Sequence, residues 1–364
     1  MVRKGCKRCE VIPTVHEVAG KVYVFAPLDV LIARFEEAMR RAGYFPRHRG
    51  GVLFCQVDNF KGFLRRLIAS NQFAGPERED IQILFVPQGE RLRLFHLQNL
   101  QPLGLYLDLV QGEAYLEIFQ NGRLTIYFHP IFDVRTFDIV GYECLARGLR
   151  EDGTLIPPRE LFRFAERTDT LFFFDRVCRE MAIKAAASKI PESKAIFINF
   201  VPGAIYDPRV CLRTTVEWIQ QLSLAPSRIV FEVVETYRIE DLTHLKRILE
   251  SYREMGFRVA LDDFGTGYAN LETLVHLAPD IIKIDQTLTR GVAKNPLNQR
   301  VLHSLTSFAR ESHIITLAEG VETQEELAYV RNLVDMVQGY YFGHPSQEPV
   351  QSLSPKLWEE LSKP

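Results

Sequence analysis

The chain has no strong net charge, no long apolar run and few cysteines. A net charge of −2 over 364 residues gives no overall basic footprint for a nucleic-acid polymer. No stretch nears the roughly 20 apolar residues of a membrane span. Arg3, Lys4, Lys7 and Arg8 precede Val11-Ile12-Pro13, which is no signal-peptide apolar core. The six cysteines are scattered, which argues against a disulfide framework and for a reducing, cytoplasmic location. Cys6-x-x-Cys9 is a single pair, and a structural zinc site usually needs two. His16, His48 and Cys55 have no diagnostic spacing, so two unpaired thiols are expected. Residues 1–120 show no haem, flavin or nucleotide-binding fingerprint.

What is present is alternation. Strands are expected at 22–25, 52–55, 81–86 and 92–97, with helices from apolar stripes running Leu28 to Ala42 and Phe60 to Ile68. Residues 1–120 therefore read as a small α/β domain, either regulatory or for dimerisation. A helix over 103–120 ends at Asn121-Gly122. Asp58-Asn59-Phe60-Lys61 resembles a piece of diguanylate cyclase domains, but no Gly-Gly-Asp/Glu-Glu-Phe stretch follows.

From 123 the rhythm is strand, helix, strand, helix. Strands are expected at 124–128 and 139–142 (a hairpin), 195–198, 229–233, 258–261, 281–284, 314–317 and 336–337. Eight strands in roughly 240 residues match a (β/α)₈ barrel, whose active site lies at the C-terminal strand ends. Residues 121–364 are read as that barrel.

The most telling stretch is Leu261-Asp262-Asp263-Phe264-Gly265-Thr266-Gly267-Tyr268. An apolar strand drives into two adjacent carboxylates, which repel at close range. A hard divalent cation removes that cost; a solvated Asp-Asp turn is the plainer reading. The other strand ends tip the balance. They carry Glu143, Asn199, Glu232 with Glu235, Lys283 with Asp285, Glu319 with Glu322, and Gln338. Each alone is an ordinary loop start. Together they fill one barrel mouth with oxygen ligands suited to magnesium or manganese, not zinc. Two such ions about 3.5–4 Å apart are the usual apparatus of phosphodiester cleavage.

Residues 123–345 resemble the EAL domain family, whose Glu-Ala-Leu motif stands here as Glu143-Cys144-Leu145. Asn199, Glu232-Val-Val-Glu235, Asp262-Asp263-Phe-Gly-Thr-Gly-Tyr, Lys283-Ile-Asp285, Ala318-Glu319-Gly-Val-Glu322 and Gln338-Gly-Tyr-Tyr-Phe-Gly-His-Pro345 follow in order. The resemblance implies a modified (β/α)₈ TIM-like barrel, often a homodimer, that hydrolyses cyclic di-GMP to pGpG with two Mg²⁺ or Mn²⁺ ions in bacterial signalling. It implies that Glu143, Asn199, Glu232 and Asp262 hold one ion, and that Asp262, Asp263 and Glu319 hold the second. Lys283 would orient the attacking water, with Glu319 as a possible base. Arg147 would meet a phosphate, and Gln338 the second-ion side or a guanine. Glu235 would anchor the loop Phe264, Gly265, Thr266, Gly267, with Glu322 as support. Departures are Cys144 for Ala, His129 for the usual Gln before Pro130, and His344 for the usual Arg before Pro345; His129 keeps a place among the substrate contacts. The rivals are a silent cyclic di-GMP receptor or scaffold, and an unrelated metal-dependent barrel such as an aldolase-type lyase.

Overall fold

The computed structural model describes residues 10, 12–233, 242–265 and 271–361. Cys6, Cys9, Glu235, Thr266, Gly267 and Tyr268 lie outside the described residues. The chain forms two compact units, and each is discontinuous. One comprises Glu10–Arg123 and Pro157–Phe174; the other includes Leu124–Ile156 and Asp175–Pro364.

The smaller unit is an antiparallel sheet of β1 (Gly20–Phe25), β2 (Arg47–Arg49), β3 (Val52–Val57), β4 (Gln82–Pro87) and β5 (Gln101–Pro102), in the order β2-β3-β1-β4-β5. Helices Asp29–Arg41 and Phe60–Ser70 put Phe35, Met39, Phe63 and Leu67 against Val22, Val24, Leu53 and Phe85. Asn59 starts the second helix by accepting the Gly62 N–H at 2.8 Å. Burying one such phenylalanine contributes about 1.5–3 kcal/mol.

Two expectations fail in this unit. Residues 92–97 are not a strand; Leu94–Asn99 is a 3₁₀ helix. Its apolar side chains Leu94, Phe95 and Leu97 are exposed, and His96 is the buried one. The run is apolar, but it does not face a core. The single helix over 103–120 is two, Leu103–Gln111 and Glu113–Gln120, broken at Gly112. A Cβ on Gly112 would lie 1.8 Å from the Phe164 ring. Phe164 in turn stacks on Tyr115 at 4.9 Å, so helix Pro158–Arg167 belongs to this unit. Gly112→Ala should cost about 1–3 kcal/mol by overpacking, and Phe164→Leu should recover part of it. Urea unfolding midpoints of the wild type, Gly112→Ala and the Gly112→Ala/Phe164→Leu double variant check this; a neutral Gly112→Ala removes the close-packing account.

The larger unit is the expected barrel. Its strands are β6 (Leu124–Asp133), β7 (Ile139–Leu149), β8 (Leu155–Ile156), β9 (Ala195–Phe200), β10 (Ile229–Val233), β11 (Arg258–Phe264), β12 (Ile281–Ile284), β13 (Ile315–Ala318) and β14 (Met336–Val337). The order is β6-β14-β13-β12-β11-β10-β9-β7-β8, and β6 also pairs with β7. That pairing closes eight strands into a ring and leaves β8 as a side arm on β7. Strand β6 runs antiparallel to both neighbours, which is what makes the barrel a modified one.

Inside, Phe197, Val230, Ala260, Ile281 and Leu317 form one apolar layer. Side chains two apart on a strand share a face. The next inward positions are therefore Asn199, Glu232, Asp262, Lys283 and Glu319. The barrel's own packing thus brings these residues together at the C-terminal strand ends.

Candidate active site at the barrel mouth

Lys283 sits at the centre, essentially buried. Its Nζ lies 2.8 Å from Glu232 Oε1, 2.9 Å from Asp262 Oδ1, 2.8 Å from Glu319 Oε1 and 3.7 Å from Glu143 Oε1. Burial alone would lower its pKa; the surrounding carboxylates outweigh that and hold it well above the ordinary lysine range. Glu143 receives Asn199 Nδ2 at 3.0 Å and Gln338 Nε2 at 3.1 Å. Burial raises its carboxyl, but Lys283, His129 and these two amides hold it below the usual range. Glu232, Asp262 and Glu319 go the other way, because burial outweighs Lys283.

Asp262 and Asp263 are adjacent, and a regular strand would send them to opposite faces. Strand β11 instead shifts register between Leu261 and Phe264. Asp263 takes φ 54°, an uncommon value for a residue other than glycine, and its N–H donates to Asp262 Oδ1 at 2.9 Å. Burial, with the Asp262 charge, pushes the Asp263 carboxyl up to about 6.

The result is two carboxylate triads that share Asp262. One is Glu143, Glu232 and Asp262; the other is Asp262, Asp263 and Glu319. Each offers one oxygen per residue within 4.8 Å of the others. The residues fit hard divalent cations on three counts. The donors are all oxygen. Four carboxylates lie within 3.7 Å of one ammonium. Glu232 Oε2 is fully buried and has no hydrogen-bond donor.

A cavity of about 320 Å³ opens above, lined by His129, Glu143, Asp263, Glu319, Gln338 and Tyr340 among others. His129 pairs with Glu143 across β6–β7, and its Nε2 is buried without a partner. Burial lowers its pKa. Arg147 is four residues beyond Glu143 on the same face of β7. Its Nη1 donates to the Ala146 carbonyl at 3.0 Å, and its guanidinium lies 5.8 Å from the Tyr127 ring. Phe264 is buried at the end of β11, and Gly265 follows at φ 117°. A Cβ at Gly265 would stand 2.6 Å from Leu288.

Glu322 forms an ion pair with Arg290, a cation that motif reading passed over. Its own N–H is held by Glu326 Oε2 at 2.9 Å. Glu326 also accepts from Gly291 at 2.7 Å and Thr323 at 3.1 Å. The sequence signal was there: Thr323 with Glu326 three residues later is a capping box. Burial would raise the Glu326 carboxyl, but these N–H donors hold it below the usual range. A depressed carboxyl contributes stability above its unfolded pKa, near 4.3, and loses it as pH falls through the folded value. The stability gap between wild type and Glu326→Gln should therefore be full at pH 6 and shrink towards pH 3. Urea melts across that range read it; a gap constant with pH refutes the assignment.

The EAL domain family model matches residues 113–345. The chain belongs to the EAL domain family. Its sequence is 34% identical over 231 residues to the probable cyclic di-GMP phosphodiesterase PdeG of Escherichia coli K12, covering 62% of this chain and 45% of that protein. It is 29% identical over 228 residues to the probable cyclic di-GMP phosphodiesterase PdeA of the same organism, covering 62% and 31%. The chain thus spans less than half the length of these curated relatives. A standalone EAL protein of Vibrio cholerae O395, solved in its c-di-GMP bound form, superposes with a TM-score of 0.58 at 36% identity, over 64% of this chain and 96% of that one. Klebsiella pneumoniae BlrP1, at 20% identity and a TM-score of 0.57, shares the fold over 92% of this chain and 98% of its own. Among the described residues of the EAL chain, no helix is long and apolar enough to cross a membrane.

Proposed function

We propose that the EAL barrel hydrolyses cyclic di-GMP to linear pGpG with two Mg²⁺ or Mn²⁺ ions, in the bacterial cytoplasm and as a homodimer. The observation that carries this is the pair of carboxylate triads sharing Asp262 beneath an open cavity. Relatives named as cyclic di-GMP phosphodiesterases supply the substrate. Glu143, Asn199, Glu232 and Asp262 would hold one ion; Asp262, Asp263 and Glu319 would hold the other. When bound, such ions activate water and offset the charge that builds on the phosphoryl oxygens.

The chain's own groups do the rest. Lys283 donates hydrogen bonds to the attacking water and orients it. Glu319, whose carboxyl burial raises, takes its proton. The water oxygen bonds to phosphorus, one P–O3′ bond breaks, and the proton that Glu319 took passes to the departing 3′ oxygen. Arg147 receives a phosphate, Gln338 fixes Glu143, and His129 meets the substrate at the cavity wall. Glu235 and Glu322 support the loop through Phe264, Gly265, Thr266 and Gly267.

Incubation of the full chain with cyclic di-GMP and Mn²⁺ or Mg²⁺, followed by chromatography, tests this. pGpG should appear, EDTA should stop it, and Glu319→Ala should lose it. Nucleotide bound but intact after hours would sink the enzyme in favour of a silent receptor.

A further inference from the structure

The small unit's sheet packs its two helices on one face, through Val22, Val24, Leu53, Cys55, Ile83 and Phe85. The residues that alternate with these point to the other face. Cross-strand register there sets Arg47 beside Phe54 and Phe54 beside Tyr23, and Arg49 beside Val52. The Tyr23 and Phe54 rings stack at 5.9 Å and 28° and stay partly exposed. Lys21, Arg47 and Arg49 are exposed. None of the five strands contains an aspartate or glutamate. The near-neutral sum of the whole chain hides this local basic face.

We propose that this face binds a short single-stranded oligonucleotide. Tyr23 and Phe54 offer stacking surfaces to bases, and Lys21, Arg47 and Arg49 take the phosphates. Stacked rings in register with an arginine favour a nucleic acid over an acidic peptide, which would use the cations and leave the rings idle. The accessible part of this face runs along β2, β3 and β1; on β4 its residues Leu84 and Val86 are buried, so the oligonucleotide would lie on the β2–β3 side. The proposal is independent of the barrel's chemistry.

Fluorescence anisotropy of the full chain with a labelled RNA of about 12 nucleotides, in EDTA and at several salt concentrations, tests it. Saturable, salt-sensitive binding is expected. Tyr23→Leu with Phe54→Leu should weaken it about 10- to 100-fold. Arg47→Gln with Arg49→Gln changes only exposed side chains, so folding is not at risk. That pair should lower the slope of log affinity against log salt by about 1.4, two contacts at about 0.7 each. No saturable binding at low salt, or wild-type binding by the arginine pair, overturns the proposal. Displacement by polyglutamate as effective as by unlabelled RNA also overturns it and assigns the face to an acidic polypeptide.

Discussion

Lys283→Met should lower turnover of cyclic di-GMP by about 10²- to 10³-fold, the range for losing one preorganised hydrogen-bond donor. The same substitution should weaken the metal-free fold. Three carboxylates lie within 2.9 Å of Nζ, and the variant leaves them buried without that cation. Removing one partner of a buried ion pair costs about 3–5 kcal/mol. A divalent ion that binds the folded state restores stability by mass action. Mg²⁺ or Mn²⁺ should therefore raise the melting temperature of the variant more than that of the wild type. Equal shifts in both proteins would mean that Lys283 does not compensate the site, and turnover within twofold of wild type would remove its role with the water.

Asp175→Ala should be among the most destabilising single changes in the barrel. Asp175 Oδ2 lies 3.0 Å from Arg179 Nη2, with both side chains almost wholly buried. Its Oδ1 also accepts the Val201 N–H at 2.9 Å, two residues beyond Asn199. Truncation leaves a buried guanidinium without its carboxylate, at about 3–5 kcal/mol. The melting temperature should fall by roughly 10 °C for a unit of this size. The double variant Asp175→Ala with Arg179→Met removes both charges and should recover most of the loss. A double variant no better than the single one would place the cost in the lost Val201 contact instead.

The barrel was legible because its strands end in a repeated chemistry. Glu143, Asn199, Glu232, Asp262, Lys283, Glu319 and Gln338 each close an apolar run, and period-two alternation puts most of them one layer above the apolar floor. Side-chain periodicity is local, so a sequence displays it. What it does not display is which surface an amphipathic helix covers. Helix Pro158–Arg167 joins the smaller unit because Gly112 is small where Phe164 arrives, and no local pattern says so. The strand expected at 92–97 fails for a related reason. Alternation reports a two-faced element, and nothing in Leu94 or Phe95 says that the apolar side chains meet water while His96 is the buried one. For Glu326 the capping box with Thr323 is readable in the sequence, but its further bond to the Gly291 N–H, 35 residues away, is not.

The kink at Asp263 bears on the nuclearity of the mouth. With φ near its usual extended value, Asp263 would turn outward, and only Glu143, Glu232 and Asp262 would remain as a complete triad. The composition of the motif would be untouched. In the proposed two-cation reading, the second triad therefore depends on a main-chain torsion rather than on the choice of side chains.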